Sequence, residues 1–407
     1  MNNPGLAAAG TAACTMPRQR HTIVCREGWY YLLVLGIVFV GAMARDVNLL
    51  LILSGLLVGP LLFSWQMVGR TLRGLQVQRK VPRTVCAGDL LVAGITLTNT
   101  RRRLGSWAVV VDERLQRETD HGREEPIRPA VCFPYVPAGQ SRKGVYRGRL
   151  TRRGRYRLGP LRVSTRFPFG LLRRTITVGQ TDTLMVYPRL GRLTRRWAAR
   201  HQESLAGTHR RQRRPGPEGD FYGVRQWRSG DSRRWIHWRS SARLGQLVVR
   251  QFEQPRNRDV AVLLELWQPA QPTPQHLDNV ELAVSFAATV VADLCRQGGG
   301  NLLLGTTAAP PHCTSGPASA ALLQDAMQRL ALAEAQNADR LPELIELALG
   351  EIESGTEIVL VSSRPVDLTD SARFDSLWAD PSRRIQTRRI RCVDTSDNQL
   401  DDYFRTD

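Results

Sequence analysis

The chain has 407 residues, enough for two or three folded units beside any membrane anchor, and its 57 Lys and Arg against 37 Asp and Glu leave a formal net charge of +20. That balance either favours an anionic partner (nucleic acid, acidic lipid headgroups or an acidic protein face) or expresses an Arg-rich composition with solvated faces. The seven cysteines (Cys14, Cys25, Cys86, Cys132, Cys295, Cys313 and Cys392) are odd in number and form no close pairs, which excludes a disulfide framework and zinc spacing and suits a reducing compartment.

Residues 1–26 are rich in Ala, Gly and Thr and then basic, and are expected to be a disordered basic N-terminus. No apolar stretch precedes Ala12-Ala13-Cys14, so it is not read as a lipidation site. Residues 27–70 hold two uncharged apolar runs, 29–44 and 47–68, separated by Arg45 and Asp46. Runs of this kind predict a transmembrane helical hairpin. Arg18, Arg20 and Arg26 precede it, and Arg70, Arg73, Arg79 and Lys80 follow it. Basic flanks favour the cytoplasmic side, so both termini are expected inside, as a two-helix protein of the inner membrane. Trp29, Tyr30, Tyr31 and Trp65 fall near helix ends, where interfacial aromatics belong.

Over 71–188 the apolar period changes to two. Leu91 to Asn99, Trp107 to Asp112, Val145 to Leu150 and Thr175 to Val178 read as short strands, with turns at Gly88-Asp89, Pro137-Ala-Gly139 and Gly159-Pro160. That spacing predicts a β-sandwich-like domain. Residues 189–217 read as an Arg-rich linker. Its run Arg210, Arg211, Arg213, Arg214 is either a patch for anionic lipid headgroups or a solvated connector. Nucleic acid is disfavoured there, because the run has no aromatic side chain on which a base can stack.

Residues 218–257 contain GDSRRWIHWRSSARLGQLVVRQFE, from Gly230 to Glu253. Asp231 or Ser232 can cap a helix running from Arg233 to Arg243, with Gly245 as its stop. Trp235, Trp238 and Ala242 would then form one apolar stripe, with the arginines off it. Asp231 is expected to make a bidentate pair with an arginine. From 258 to 407, apolar strands at Val260 to Leu266, Asn301 to Leu304, Glu357 to Ser362 and Ile385 to Val393 alternate with helical periods. That predicts an α/β unit whose mostly parallel sheet carries helices on both faces.

The signature resembles that of a bacterial family, domain of unknown function 58, with the pattern G-D-x-x-R-x-I-x-W-x-x-S/T-A-R. Gly230, Asp231, Arg234, Ile236, Trp238, Ala242, Arg243 and Glu253 fit it. A second segment, RGRYRLGPLRVSTRFPFGLLRR, is similar to that family's R-G-x-Y-x-L-G-P segment, with Phe167 where the family has Asp before Pro-Phe-Gly. The resemblance implies a C-terminal α/β von Willebrand A-like (Rossmann-type) domain and a MoxR-type AAA+ ATPase as partner. Such domains often hold Mg²⁺ on Asp-x-Ser-x-Ser after the first strand. Here the loop is Glu265-Leu-Trp-Gln-Pro269, so no metal site is expected, and Glu265 should pair with an arginine or face solvent.

No cofactor is expected: there is no G-x-x-x-x-G-K-[ST], and Gly298 to Gly300 follows a helix instead of a strand. Candidate binding residues are Asp231, Arg234, Trp238, Arg239 and Arg243, with a structural ion-pair and packing cluster as the other reading of the same set. The resulting expectation is a membrane-anchored, non-catalytic binding or scaffold protein. Its alternatives are an Arg-driven binder of anionic lipid or nucleic acid and a hydrolase using His237 with Ser240 or Ser241.

Overall fold

A computed structural model describes residues 19–45, 48–119, 125–199, 221–252, 259–308, 310–353, 355–370, 372–396, 400 and 402–406. Residues 1–18, Asp46, the basic run from Arg210 to Arg214, and Glu253 lie outside them. The chain divides into two compact units, Met1–Tyr187 and Pro188–Asp407.

The first unit begins with β1 (Gln19–Val24), α1 (Arg26–Arg45) and α2 (Asn48–Thr71). Both helices are long and apolar enough to cross a membrane, and most of their large apolar side chains are exposed. Three of their polar side chains bond to helix carbonyls, while the buried Ser64 hydroxyl of α2 has no hydrogen-bond partner among the described residues. The Tyr31 hydroxyl donates to the Leu57 carbonyl at 2.7 Å, Ser54 to Leu51 and Thr71 to Met67, so these three hydroxyls are satisfied without solvent. Strands β2 (Leu75–Lys80), β3 (Thr84–Cys86), β4 (Leu90–Asn99), β5 (Ser106–Asp112), β6 (Leu115–Arg117) and β7 (Ala130–Val136) follow. Then come β8 (Ser141–Arg149), β9 (Gly154–Leu158), β10 (Leu161–Thr165), β11 (Leu172–Val178) and β12 (Asp182–Tyr187).

They form three sheets, ordered β1-β11-β10-β5-β7, β2-β4-β8 and β3-β12-β9-β6. One core joins all three, including Leu91, Ile95, Leu97, Val109, Val163 and Leu184. In β4 these residues alternate with outward-facing ones, the two-residue period that a sheet with one buried face requires. The expectation of disorder through residue 26 is corrected: β1 pairs antiparallel with β11, from Gln19 opposite Thr177 to Val24 opposite Leu172. Its hydrogen bonds come from a strand about 150 residues later, which no local window of sequence reveals.

The second unit contains β13 (Arg192–Leu193), β14 (Phe221–Gln226), α3 (Trp238–Leu244), β15 (Val248–Phe252), β16 (Val260–Glu265), α4 (Pro274–Gln297), β17 (Asn301–Thr306) and β18 (His312–Pro317). It continues with α5 (Ala320–Leu332), α6 (Leu341–Glu351), β19 (Glu357–Ser362), α7 (Asp375–Ala379), α8 (Pro381–Thr387), β20 (Arg391–Asp394) and β21 (Phe404–Arg405). The main sheet is mixed. Its order is β18-β17-β16-β19-β20, parallel except for β18, which runs antiparallel at one edge. All six residues of β16 are buried, as a strand covered on both faces must be. Of the expected final strand, the first part is helix α8 and only Arg391–Asp394 is extended.

The expected linker starts later than residue 189. Residues 195–199 are helical, and β13 pairs with β21 near the end of the chain. Trp197 is buried edge-on against Phe286 at 5.3 Å, and the Arg391 guanidinium lies 4.7 Å from its ring centre. This segment is therefore part of the core of the second unit. The seam depends on Gly191, whose N–H donates to Thr289 Oγ1 at 3.0 Å. A Cβ there would sit 2.4 Å from the Arg405 carbonyl oxygen and 2.4 Å from the Phe404 ring. Gly191→Ala should cost about 2 kcal/mol, the usual scale of overpacking, and should expose the 189–199 segment to limited proteolysis. A variant as protease-resistant as the parent would refute that account of the seam.

Candidate functional site

The signature folds as an antiparallel ribbon, β14 with β15, closed by a turn, a single 3₁₀ turn at Arg233–Trp235 and the short helix α3. The expected continuous helix from Arg233 to Arg243 is thus interrupted. Ile236 bridges to Val249, and the His237 N–H donates to the Val248 carbonyl at 2.9 Å, so these two residues leave the helix to line the ribbon edge. Helix α3 then restarts with His237 as its cap: the Ser240 N–H donates to Nδ1 at 3.2 Å, with Ser240 Oγ 2.7 Å from the same nitrogen. It stops at Gly245, which takes the left-handed conformation at φ 66° as expected from the sequence. Ser241 is buried. Its hydroxyl receives the Val248 N–H at 3.0 Å and stitches helix to strand. Thus the ring nitrogen of His237 facing Ser240 serves to cap the helix, and Ser241 serves in packing.

Asp231 does form its bidentate pair, but with Arg225 of β14, not with an arginine of the helix. Arg225 Nη1 and Nη2 meet Oδ2 and Oδ1 at 2.7 and 2.6 Å, and the Arg228 N–H adds a bond of 2.8 Å. The Arg225 hydrogen bonds, seconded by the Arg228 backbone, hold the Asp231 carboxyl below the usual carboxylate range. This pair ties the turn to the strand. The other members of the expected set lie on the surface. Arg234, Arg239 and Arg243 are exposed, and Trp238 is 67% exposed instead of lying on a buried stripe. Arg239 and Arg243 share one face of α3 at i, i+4, a mildly destabilising like-charge pair. Among the described residues, none of these three arginines meets a carboxylate.

A second constellation sits at the carboxyl edge of the main sheet, where the strand order reverses about β16 and ligands of such sheets collect. Glu265 ends β16 and is buried. Its Oε2 accepts from Ser362 Oγ at 2.6 Å, and its Oε1 accepts from Arg364 Nη2 at 2.6 Å and Arg373 Nη2 at 3.2 Å. Asp339 closes the ring, accepting from Arg364 Nη2 at 2.9 Å and Arg373 Nε at 2.7 Å. The Arg364 guanidinium also lies 4.7 Å from the Trp267 ring centre. Two carboxylates and two guanidiniums balance. The donor set does not fit a divalent cation, because guanidinium N–H groups and the Ser362 hydroxyl occupy the carboxylate oxygens, and the guanidiniums place positive charge where a metal would go.

Of the two sequence readings of Glu265, an arginine partner or solvent, the structure shows the first. Arg364 lies just past the predicted strand Glu357 to Ser362, while Asp339 and Arg373 carry no local signal. Burial alone would raise the Asp339 carboxyl, but the Arg373 hydrogen bonds and the charges of Arg373 and Arg364 hold it below the usual range. A carboxyl depressed in the folded state contributes stability that is complete above its unfolded value of about 3.9 and lost as pH falls through the lower folded value. Denaturant midpoints of the full chain should accordingly include an acid-side decline below about pH 4 that Asp339→Asn reduces. An unchanged pH profile in that variant would refute the assignment.

Comparison with known proteins places residues 223–400 in a match to the family described as Protein of unknown function DUF58. The Uncharacterized protein YeaD of Bacillus subtilis (strain 168) is 27% identical over 237 residues, covering 56% of this chain and 55% of that protein. The chain thus spans about half the length of that curated relative. Among solved structures, the CARDB domain of PF1109 from Pyrococcus furiosus covers 28% of this chain and 94% of that one, at 12% identity and a TM-score of 0.18. A beta-glucosidase from Listeria innocua covers 28% and 16%, at 15% identity and a TM-score of 0.20. Likenesses at those scores carry no argument here.

Proposed function

We propose that the chain is a membrane-anchored, non-catalytic binding or scaffold protein that works with a MoxR-type AAA+ ATPase. In this reading α1 and α2 cross the inner membrane, and both termini and the two folded units lie in the cytoplasm. Support for the crossing comes from the exposed apolar faces of the helices and from Arg26 and Arg70 at their adjoining ends. Parallel strands interleaved with helices, in an order that reverses at β16, support a von Willebrand A-like reading of the second unit. The resemblance to domain of unknown function 58 supplies the ATPase.

The single observation that carries the non-catalytic reading is the ring of Glu265, Arg364, Asp339 and Arg373. It engages four charged groups at the sheet's carboxyl edge with one another. The signature, by contrast, exposes Trp238, Arg239 and Arg243, side chains of the types that anchor protein interfaces. A second reading, binding of anionic lipid headgroups, draws on the same exposed arginines and implies a steep dependence on salt.

The test uses the full chain, parent and Arg239→Glu/Arg243→Glu, cross-linked in bacterial membranes and analysed by mass spectrometry. The parent should capture an AAA+ ATPase and the variant should lose it. Failure of both to capture one removes the ATPase from the account. Capture by both moves the docking surface away from α3.

A further inference from the structure

We propose that the loop Phe167-Pro168-Phe169-Gly170-Leu171 of the strand-rich unit dips into the lipid headgroup layer, as an aromatic wedge beside the two apolar helices. The proposal rests on the membrane crossing read above and goes beyond it, because it assigns a lipid contact to a folded domain outside the spans.

The loop is placed by backbone contacts with the start of α1. The Cys25 N–H donates to the Leu171 carbonyl at 2.9 Å. Gly28 lets the chains approach so closely that a Cβ there would sit 2.3 Å from the same oxygen. Leu171 and Leu172 pack with Val68 of α2, and Val24, Tyr31 and Leu61 lie against that cluster. Beyond it, the Phe169 ring lies 6.2 Å from Phe63 of α2. The loop is therefore level with the first turn of α1, where Trp29 and Tyr30 project at 64% and 71% exposure. Trp and Tyr at such a level mark the boundary between hydrocarbon and headgroups.

The loop's own chemistry fits that layer. Phe169 is 55% exposed. Phe167 stacks on Trp107 with ring centres 6.0 Å apart, and Trp107 meets Tyr135 at 4.2 Å. Trp107, Tyr135 and Leu104 are each about half exposed, so one end of the strand-rich unit presents an apolar and aromatic surface. Arg102, Arg103 and Arg166 are exposed beside it, where they can meet lipid phosphates. An aromatic patch of this kind facing water would be an aggregation liability. Its continuity with the helices argues for lipid as the occupant, in preference to a second protein.

A photoreactive p-benzoylphenylalanine tests this, placed singly at Leu33, Phe169 or Leu90 of the full chain. Each protein is reconstituted in vesicles of phosphatidylethanolamine and phosphatidylglycerol doped with a clickable phosphatidylethanolamine. Leu33 is exposed on α1. Leu90 is exposed at the opposite end of β4 from Asn99, and Asn99 accepts from Arg101, whose guanidinium also donates to the Thr71 carbonyl at the end of α2. Lipid adducts at 33 and 169 with none at 90 are the expected result. Adducts at 33 but not at 169, or protein cross-links in place of lipid at 169, would overturn the wedge and leave the spans standing. No adduct at 33 would remove the membrane reading itself, and the wedge with it. Adducts at 90 as strong as those at 169 would also overturn it.

Discussion

Glu113→Ala is expected to destabilise the strand-rich unit by about 4 kcal/mol, the scale for breaking a buried ion pair from one side. Both side chains of the Arg79–Glu113 pair are fully buried, and Arg79 Nη1 contacts Glu113 Oε1 directly. The Tyr146 hydroxyl donates to Oε2 at 2.7 Å. Burial, followed by the Glu113 charge and this hydrogen bond, pushes the Tyr146 phenol well above its ordinary value, so it remains a donor at every working pH. Removing the carboxylate strands a guanidinium and a phenol in the interior together. Arg79 keeps Asp182 as a partner, but that carboxylate is half exposed and well solvated. Glu113→Gln retains an acceptor for Tyr146 and should cost less, about 2 kcal/mol. Because the partners act as a unit, Arg79→Ala combined with Glu113→Ala should cost less than the two single losses added. Equilibrium denaturation of the full chain in detergent reads all three. A loss under about 1 kcal/mol for Glu113→Ala, the range of exposed pairs, would show that the pair is not a supporting element.

The corresponding change in the second unit is Glu265→Gln, with an expected loss of about 3 kcal/mol. Glu265 is shared by two guanidiniums and by Ser362, so its loss leaves Arg364 and Arg373 facing each other over Asp339 alone. Arg373→Ala is milder, about 1 kcal/mol, because Arg364 still holds Glu265 through both Nε and Nη2. That asymmetry is the distinguishing result. A network that served only as surface charge would give two small, equal and salt-sensitive losses.

Much of this architecture could be read from the chain before any coordinates. The uncharged runs that became α1 and α2, the two-residue period of β4 and the stop at Gly245 all depend on neighbours close in sequence. Other features needed the fold. Gln19–Val24 has no strand signal that outweighs its basic, polar surroundings, and it becomes a strand because β11 offers a free edge. The signature helix breaks at Ile236 and His237 because β15 competes for their backbone. Trp197 looked like part of a linker until Phe286 and Tyr403 were brought against it.

By itself, then, the sequence determined which segments avoid water and where the backbone turns, since these follow from local composition. Only the tertiary structure decided which arginine answers Asp231 and which two answer Glu265. The latter pair lie 99 and 108 residues away, and partners at that separation are chosen by strand order and packing, to which no local pattern is coupled.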